Sequence, residues 1–532
     1  MNFLRDKKRT QIEWGVTANS HDAALAVVKT SPEGPEILYA AHAERSSGRK
    51  NDAWLNETIV AQAREYGEPS NIHWYENFNT KRLRQIRSGQ WSTAWNKISP
   101  WETLQRLNVV FRPHYPPISA ALGGDPGGPY PPNLIYHKHH ASHAAAGYYT
   151  SPFREAAVLV IDSIGEFETL TIWQGKDRSL KRTFSQSYPH SVGLWYSSMT
   201  QRIGLKPNED EYILMGWAAL GDPERFKKKI YEDFFYPLQP GSPKIRFRHN
   251  LHRGCRWWAP ELNSLQDYAD IAAGTQAVYE MIFDHLLKWI SRVTNNRNIV
   301  IMGGCALNCV ANGRAYRYFD NVWIMPNPGD AGSSLGCVLD SVKDFTEYNT
   351  AYLGYNIPGE YPIENTINEL KTVRMVGVAN GRAEFGPRAL GNRSLFADPR
   401  GDDVQDLVNT VKKRQPFRPF APVVKADRVH EYFDMPPGCD HSQFMQFIAT
   451  TKHPDQFPAI THYDGTSRVQ TVTAEQHPGL YRLLDRWEAE TGCPILLNTS
   501  LNIKGEPMVD TELDAKRWHD RYRVKVLTKE GD

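Results

Sequence analysis

Cysteine is scarce in this sequence, long apolar runs are missing, and neither sign of charge prevails. Six cysteines among 532 residues follow no regular spacing, which excludes a disulfide scaffold. Cys305 and Cys309 stand four apart, but a zinc site would need two further ligands nearby, so both read as small buried thiols. No apolar stretch approaches the roughly 18 residues of a membrane span. The opening run from Asn2 to Arg9 is polar and basic, unlike a signal peptide. With 62 Lys and Arg against 60 Asp and Glu, the formal charge is +2, so bulk charge does not mark a polybasic nucleic-acid binder. These absences describe a soluble protein of a reducing compartment, expected to be cytoplasmic, with no membrane partner and chain enough for two or more domains.

What is present is histidine in one place. His137, His139, His140 and His143 put four imidazoles within seven residues, ahead of an apolar strand-like run, Ala156 to Ile161, that ends in Asp162. If 139–147 is helical, His139 and His143 share one face and both reach one cation. Asp162 at the strand end and Asp330 in the turn Pro328 to Gly332 are the carboxylates placed to join them. The alternative is a polar helix face whose histidines only cap or solvate.

Trp14 to Val28 reads as strand, tight polar turn, strand. The turn holds Asn19, Ser20, His21 and Asp22, a set of donors suited to an anionic ligand, although turn chemistry alone accounts for Asn and Asp. Ile37 to Ala41 is a further strand and 52–66 a helix. In residues 73–101, Lys81, Arg82, Arg84 and Arg87 are flanked by Trp74, Tyr75, Phe78, Trp91, Trp95 and Trp101. Cations interleaved with flat rings suit a groove for phosphates and bases; the alternative is a solvated basic helix whose aromatics pack on the core. Residues 112–132 are a Pro/Gly-rich loop. Gln266 to Val293 is the clearest helix, with Ile271, Val278, Ile282 and Leu286 on one face. Ile299 to Met302 is a buried strand that runs into Gly303, Gly304 and, beyond them, Asn308. A strand, paired glycines and a helix N-terminus form a ready nucleotide or phosphate site.

Periodicity lapses between 345 and 365, which places a domain boundary there and divides the chain into 1–350 and 351–532. Beyond it Arg382, Arg388 and Arg393 put three arginines within twelve residues, followed by Lys412, Lys413, Arg414 and Arg418. Arg468 comes later, and a strand end offers Asn498, Ser500 and Asn502. Guanidinium forks match phosphate oxygens bidentately. These cations sit among Gly, Pro and apolar residues, not in alternating Glu/Lys, so they read as a site for phosphorylated ligands.

Several of these stretches carry a family resemblance: HHASHAAAGYY (139–149), DSIGE (162–166), GGCALN, PNPGDAGSSLG (326–336), FGPRALGNRS, FRPFAP (417–422), HYDGTSRVQTV (462–472) and PILLNTSLN (494–502). From about Gly15 to about Asp514 the chain resembles the O-carbamoyltransferases of the nodulation-factor, cephalosporin and tobramycin type. The resemblance implies an α/β protein, with an actin-like N-terminal domain like that of the tRNA threonylcarbamoyl-transfer enzyme and a C-terminal YrdC-like, adenylate-forming domain. It implies a divalent metal, iron, on His139, His143, Asp162 and Asp330; the donor chemistry alone suits zinc or manganese as well. Gly303, Gly304, Asn308 and Gly332 would receive a nucleotide in the first domain. Arg388, Lys412, Arg414, Arg418, Arg468, Asn498, Ser500 and Asn502 would hold carbamoyl phosphate and Mg-ATP in the second.

The expected reaction makes carbamoyl-adenylate and passes the carbamoyl group to a hydroxyl on a small molecule or sugar, with His21 or Asp22 as general base. One departure stands out. Where such proteins usually read Glu-Gly-Lys-x-Met-Gly-Leu-Ala, this chain has Glu211, Tyr212 and, at the Leu position, Trp217, which points to a different acceptor. The rival readings are a tRNA threonylcarbamoyl or hydrogenase-maturation enzyme, a non-catalytic nucleotide-gated binding protein, and the same chemistry on a hydroxymethylated pyrimidine of DNA or its nucleotide through residues 74–101. Nothing in the sequence speaks to oligomeric state.

Overall fold

The computed structural model describes residues 10–96, 99–107, 133–415 and 417–532; the opening run and the Pro/Gly-rich loop 112–132 lie outside them. The first half of the chain builds the same sheet twice. Strand β1 (Gln11–Thr17) pairs antiparallel with β2 (Ala24–Ser31), and β2 antiparallel with β3 (Gly34–His42). On its other side β1 takes β4 (Asn71–Trp74) in parallel, and β4 takes β5 (Asn133–Tyr136) in parallel. The plan recurs with β6 (Glu155–Ile161) at the centre. It pairs with β7 (Glu168–Lys176), β7 pairs with β8 (Ser179–Ser187), and β9 (Asn298–Met302) and β10 (Asn321–Trp323) follow in parallel. The sheet orders β3-β2-β1-β4-β5 and β8-β7-β6-β9-β10 are therefore one topology used twice, the actin-like plan.

Each half ends in a helix after its last strand: His139–Thr150 after β5, and Ser333–Val342 after the turn that follows β10. These two helices lie against each other between the sheets. Their approach is backbone to backbone. A Cβ on Gly336 would stand 1.9 Å from the Ser142 carbonyl oxygen, and one on Gly15 would stand 1.7 Å from that of Ser334. The His139–Thr150 helix is buried along its whole length, so its histidines are not a solvated face. The long helix Leu265–Thr294 starts at a Ser264/Asp267 capping box. It turns Ile271, Val278, Ile282 and Leu286 into the core, as its period predicts.

The C-terminal part is also α/β. A two-stranded ribbon joins Tyr352–Ile357 to Gly381–Glu384. A six-stranded mixed sheet runs in the order Gln470–Val472, Ala421–Lys425, Ile495–Ser500, Arg393–Ala397, Met375–Ala379, Val526–Leu527. Phe433–Asp434, Ile448–Thr451 and Thr466–Arg468 form a smaller sheet. The two parts are tied through main-chain acceptors. Arg45 Nη2 donates to Gly386 O at 3.1 Å, and Arg382 Nη2 to Leu38 O at 2.6 Å.

Two stability predictions follow from these contacts. Gly336→Ala forces a methyl onto the Ser142 carbonyl, and should cost about 1–3 kcal/mol in denaturant unfolding. The second concerns His477, which caps the Pro478–Thr491 helix. Its Nδ1 accepts from Leu480 N at 2.9 Å, and its Nε2 donates to Asn392 Oδ1 at 2.7 Å. Burial pushes this imidazole down to about 4, so the fold holds it neutral. Its contribution is complete above the unfolded value near 6.5 and is lost as pH falls toward 4, by about 3 kcal/mol. His477→Gln should remove that part of the acid sensitivity when unfolding is compared at pH 7 and pH 4.5.

Candidate functional site

The duplication brings four ligating side chains to one point. His139 and His143 stand on the first turns of their helix, Asp162 follows β6, and Asp330 opens the turn into the Ser333–Val342 helix. His139 Nε2 lies 3.1 Å from Asp162 Oδ2, 3.3 Å from Asp330 Oδ1 and 3.1 Å from His143 Nε2. His143 Nε2 is 3.3 Å from Asp330 Oδ1 and 3.9 Å from Asp162 Oδ2. All four ligating atoms fall within 4.8 Å of one another, and all four residues are buried. Donors held at about 2.0–2.2 Å from one ion stand roughly 3–3.5 Å apart, so the spacing fits a single divalent cation. The charges fit it too. Burial opposes a proton on His139, but Asp330 and Asp162 outweigh it and hold the imidazole well above its usual range. Burial likewise opposes charge on Asp330, yet His139 and His143 keep it ionised far below the usual carboxylate range. A bound cation would take the place of that shared proton.

The shell around the cluster is built for orientation. Gly304 N donates to Asp162 Oδ1 at 3.1 Å. Glu166 accepts the main-chain N–H of His139 at 3.2 Å and that of Asn77 at 2.6 Å, a carboxylate cap at the positive end of the histidine helix. Glu76 lies behind His139, its Oε2 3.8 Å from Nδ1, and its Oε1 is held by Lys81 Nζ at 2.6 Å. Sequence reasoning passed over Glu76; the signal was its place just after β4, legible only once that short strand is recognised. His140 points the other way, with Nδ1 2.9 Å from Thr171 Oγ1. His137 belongs to a separate chain of contacts, 3.0 Å from His73 and 2.7 Å from Asp340.

His21 and Asp22 lie beside the cluster in the β1–β2 turn, where Asn19 (φ 66°) and Asp22 (φ 54°) adopt the left-handed conformation that Asn and Asp tolerate. His21 Nδ1 is 3.0 Å from Asp22 Oδ2, and its Nε2 is 3.7 Å from Asp330 Oδ2. Burial opposes its protonation, but Asp22 and Asp330 raise it to about 9. Burial opposes charge on Asp22 too, but the hydrogen bond from His21 outweighs it and keeps the carboxylate ionised.

The glycine motif does other work than its form suggested. Gly303 N donates to Pro328 O at 2.9 Å, and a Cβ there would meet the Ile161 carbonyl at 2.2 Å. Gly304 N serves Asp162, and the chain continues as a short 3-10 turn instead of a full helix. Gly332 is small because a Cβ would meet Asn327 O at 1.9 Å. These amides position the Asp162 and Asp330 turns; they do not form a free phosphate cradle. Asn308 does line the cavity, but its amide is paired with Gln276 at 2.9 and 3.1 Å.

In the C-terminal part the predicted cations converge. Arg388, Arg418 and Arg468 crowd one another, and among the described residues none forms an ion pair with a carboxylate. Burial, then Arg468, pulls Arg388 down to about 9. Lys412 is a departure from expectation. Its ammonium is spent on the Ser500 hydroxyl (3.1 Å) and on the Asn502 carbonyl and side-chain oxygen (2.6 and 2.7 Å), so it holds the 500–502 loop. Arg414 stacks on Phe420 and donates to Asn409 Oδ1 at 3.0 Å. Asn498 is buried and bonds Gln470 Oε1 at 2.6 Å. A single cavity of about 890 Å³ is lined by His139, Asp162 and Asp330 at one part and by Arg388, Arg418 and Arg468 at another.

The basic stretch 73–101 also departs from expectation in part. Of the four cations expected to face a nucleic acid, Lys81 and Arg84 turn inward, 7% and 5% exposed, and line this cavity; Trp74 is fully buried. Helical spacing puts 81, 84 and 85 on one inward face, whereas Arg87 and Trp91 are exposed. The side chain of Trp95 lies outside the described ones. Tyr212 and Trp217, in the stretch where the departure bears on acceptor or nucleotide contacts, touch the C-terminal part: Arg418 lies 4.6 Å over the Tyr212 ring, and Trp217 stacks on Phe417 at 5.7 Å.

The geometry defines a mixed α/β protein with a buried two-histidine, two-aspartate cluster opening on a cationic cavity. Residues 13–339 match the family model described as Carbamoyltransferase N-terminus, and residues 367–531 the one described as Carbamoyltransferase C-terminus. The chain belongs to the carbamoyltransferase family of enzymes. It is 31% identical to the uncharacterized protein sll1178 of Synechocystis sp., over 97% of this chain and 95% of that one. It is also 31% identical to the nodulation protein NolNO of Sinorhizobium fredii, over 72% of this chain and 61% of that protein. With the 3'-hydroxymethylcephem-O-carbamoyltransferase of Streptomyces clavuligerus it shares 29% identity over 61% of this chain and 64% of that protein. Among solved structures, full-length HypF in its phosphate- and nucleotide-bound form aligns at 12% identity and a TM-score of 0.33, over 64% of this chain and 47% of that one.

The cluster predicts its own test. The protein should carry about one divalent ion per chain by elemental mass spectrometry. His143→Ala or Asp330→Ala should lose it, while His140→Gln, which keeps a partner for Thr171, should not.

Proposed function

We propose that the chain is an ATP-dependent O-carbamoyltransferase that works in two steps. Residues 351–532 form the YrdC-like adenylate-forming domain and residues 1–350 the actin-like transfer domain. Water cleaves carbamoyl phosphate to carbamate and phosphate. A carbamate oxygen then attacks the α-phosphorus of Mg-ATP, the bridge to the β-phosphorus breaks, and pyrophosphate leaves. The product, carbamoyl-adenylate, has a leaving group that carbamate lacks. Arg388, Arg418 and Arg468 neutralise the phosphates there, while Lys412 keeps Ser500 and Asn502 in register. In the transfer step the acceptor hydroxyl attacks the carbamoyl carbon, AMP departs with the electron pair, and the hydroxyl proton passes to Asp22, oriented by His21.

His139, His143, Asp162 and Asp330 would hold a divalent ion, with iron, manganese and zinc all compatible with the donors. When bound, it supplies Lewis acidity beside the carbamoyl carbonyl. Glu166 and Gly304 fix the ligands' orientation. The partner is a hydroxyl-bearing acceptor, and the dependence on ATP and carbamoyl phosphate suits a cytoplasmic setting. No helix among the described residues is long and apolar enough to cross a membrane.

The observation that carries this reading is the shared cavity: unneutralised guanidiniums and the His/Asp cluster line one continuous space. Arg468→Ala should abolish carbamoyl phosphate-dependent pyrophosphate release from ATP. His139→Ala should stop carbamoyl transfer while retaining most pyrophosphate release. Equal loss of both activities in folded His139→Ala protein would sink the two-site assignment.

A further inference from the structure

Where Arg84 lines the cavity, a buried positive charge has no carboxylate in direct contact among the described residues. Arg84 is 5% exposed and lines the cavity together with Gln85, Gln90 and His252. Its Nε donates to the Glu166 main-chain oxygen at 3.1 Å and its Nη1 to the Gln90 amide oxygen at 2.8 Å, both neutral acceptors. Among the described residues it makes no ion pair, and its Nη2 has no hydrogen-bond partner. Lys81, one turn away on the same helix, shows the contrast: it is neutralised by Glu76 at 2.6 Å.

Glu76 acts on Arg84 through space only, its carboxylate being held by Lys81 at 2.6 Å. His252 lies 2.5 Å from the Gln90 amide nitrogen, and its buried Nδ1 has no partner among the described residues. Burial, with Arg84 and Arg253 nearby, keeps that imidazole neutral. An unpaired buried guanidinium is costly, and such a group suits a site whose ligand brings the anion. The place is also right for the acceptor. Arg84 holds the backbone of Glu166, whose carboxylate caps the helix that carries His139. Through Glu166, Arg84 is thus linked by two hydrogen bonds to the backbone of His139, and both residues line the same cavity.

We infer that this part of the cavity is the acceptor subsite, and that the acceptor carries an oxyanion, a phosphate, besides the hydroxyl it presents. The inference rests on the proposed transfer at the His139 cluster and adds the class of molecule transferred to. Two sources share this chemistry: a small phosphorylated acceptor, and a phosphate of the chain in which a hydroxymethylated pyrimidine is embedded.

The test is equilibrium binding of labelled matched pairs: 5-hydroxymethyl-2'-deoxycytidine against its 5'-monophosphate, and glucose against glucose 6-phosphate. For at least one pair the wild-type protein should bind the phosphorylated member about tenfold more tightly. Arg84→Gln should bring that ratio to about one, while Arg84→Lys, which keeps the charge, should retain most of it. A wild-type ratio near one in both pairs, or a ratio that survives Arg84→Gln unchanged, overturns the inference. If Arg84→Gln does not fold, the wild-type and Arg84→Lys ratios decide it. A single-stranded oligonucleotide containing the hydroxymethylated base distinguishes the sources: tighter and more salt-sensitive binding than the monophosphate assigns the phosphate to a nucleic acid, weaker binding to a free small molecule. Carbamoyl phosphate-dependent pyrophosphate release by the wild-type protein is followed in parallel. Its absence would count against the proposed function, whereas its presence with no phosphate preference would count against this inference alone.

Discussion

Backbone-to-backbone contact between two helices is the constraint on which the N-terminal site depends. Because Gly336 lets the Ser333–Val342 helix close on the Ser142 carbonyl, and Gly15 lets β1 close on Ser334, the two helices start side by side. Their N-terminal ends carry partial positive charge and unpaired amide donors, and carboxylates collect there. Glu166 takes the amide of His139, and Asp330 begins the turn into the second helix. The same convergence places two imidazoles between two aspartates. The ligand cluster is thus a consequence of the internal duplication: one half supplies His139 and His143, the other Asp162 and Asp330.

The parts of this arrangement that were legible from the sequence are those with a local period. The spacing of His139 and His143, the apolar run into Asp162 and the stripe of the Leu265–Thr294 helix each follow from a rule of 3.6 or a buried strand. The duplication was not legible in that way, because its halves share topology without sharing residues: the turn after β1 offers Asn19 to Asp22, while the turn after β6 offers Asp162 to Glu166. Strand β8 was missed for a related reason. Most of its residues are exposed, so no burial pattern announces it. Gly303 and Gly304 were read as a phosphate site because a motif shows donors but not which acceptors they meet; here those acceptors are Pro328 O and Asp162. Lys81 and Arg84 were legible in principle. Residues three apart share a helix face, and a basic face is not always the outer one.

The cavity joins two electrostatic environments. At the C-terminal wall, guanidiniums repel one another and have no carboxylate ion pair among the described residues, so phosphates would stabilise the wall as much as the wall stabilises them. At the His/Asp cluster, positive and negative groups are interleaved within hydrogen-bonding range. Tyr212 lines the same cavity, with Arg418 4.6 Å and Lys50 5.7 Å from its ring centroid. The aromatic face spreads the positive charge without adding an anion, which leaves the wall cationic. Tyr212, which departs from the resembling proteins' pattern, therefore lines the passage beside the cationic wall.

That passage has a fixed geometry for a physical reason. The contacts binding the two parts of the chain run from buried or half-buried arginines to main-chain carbonyls: Arg45 to Gly386, and Arg382 to Leu38. Opening the parts like a hinge would strip those guanidiniums of their acceptors, and a buried donor left unmade costs more than the bond itself contributes. Gln62 adds a buried contact to Asp510 at 3.4 Å across the same boundary. On the proposed two-step reading, an intermediate formed at the arginines would move within a space whose walls these contacts already set.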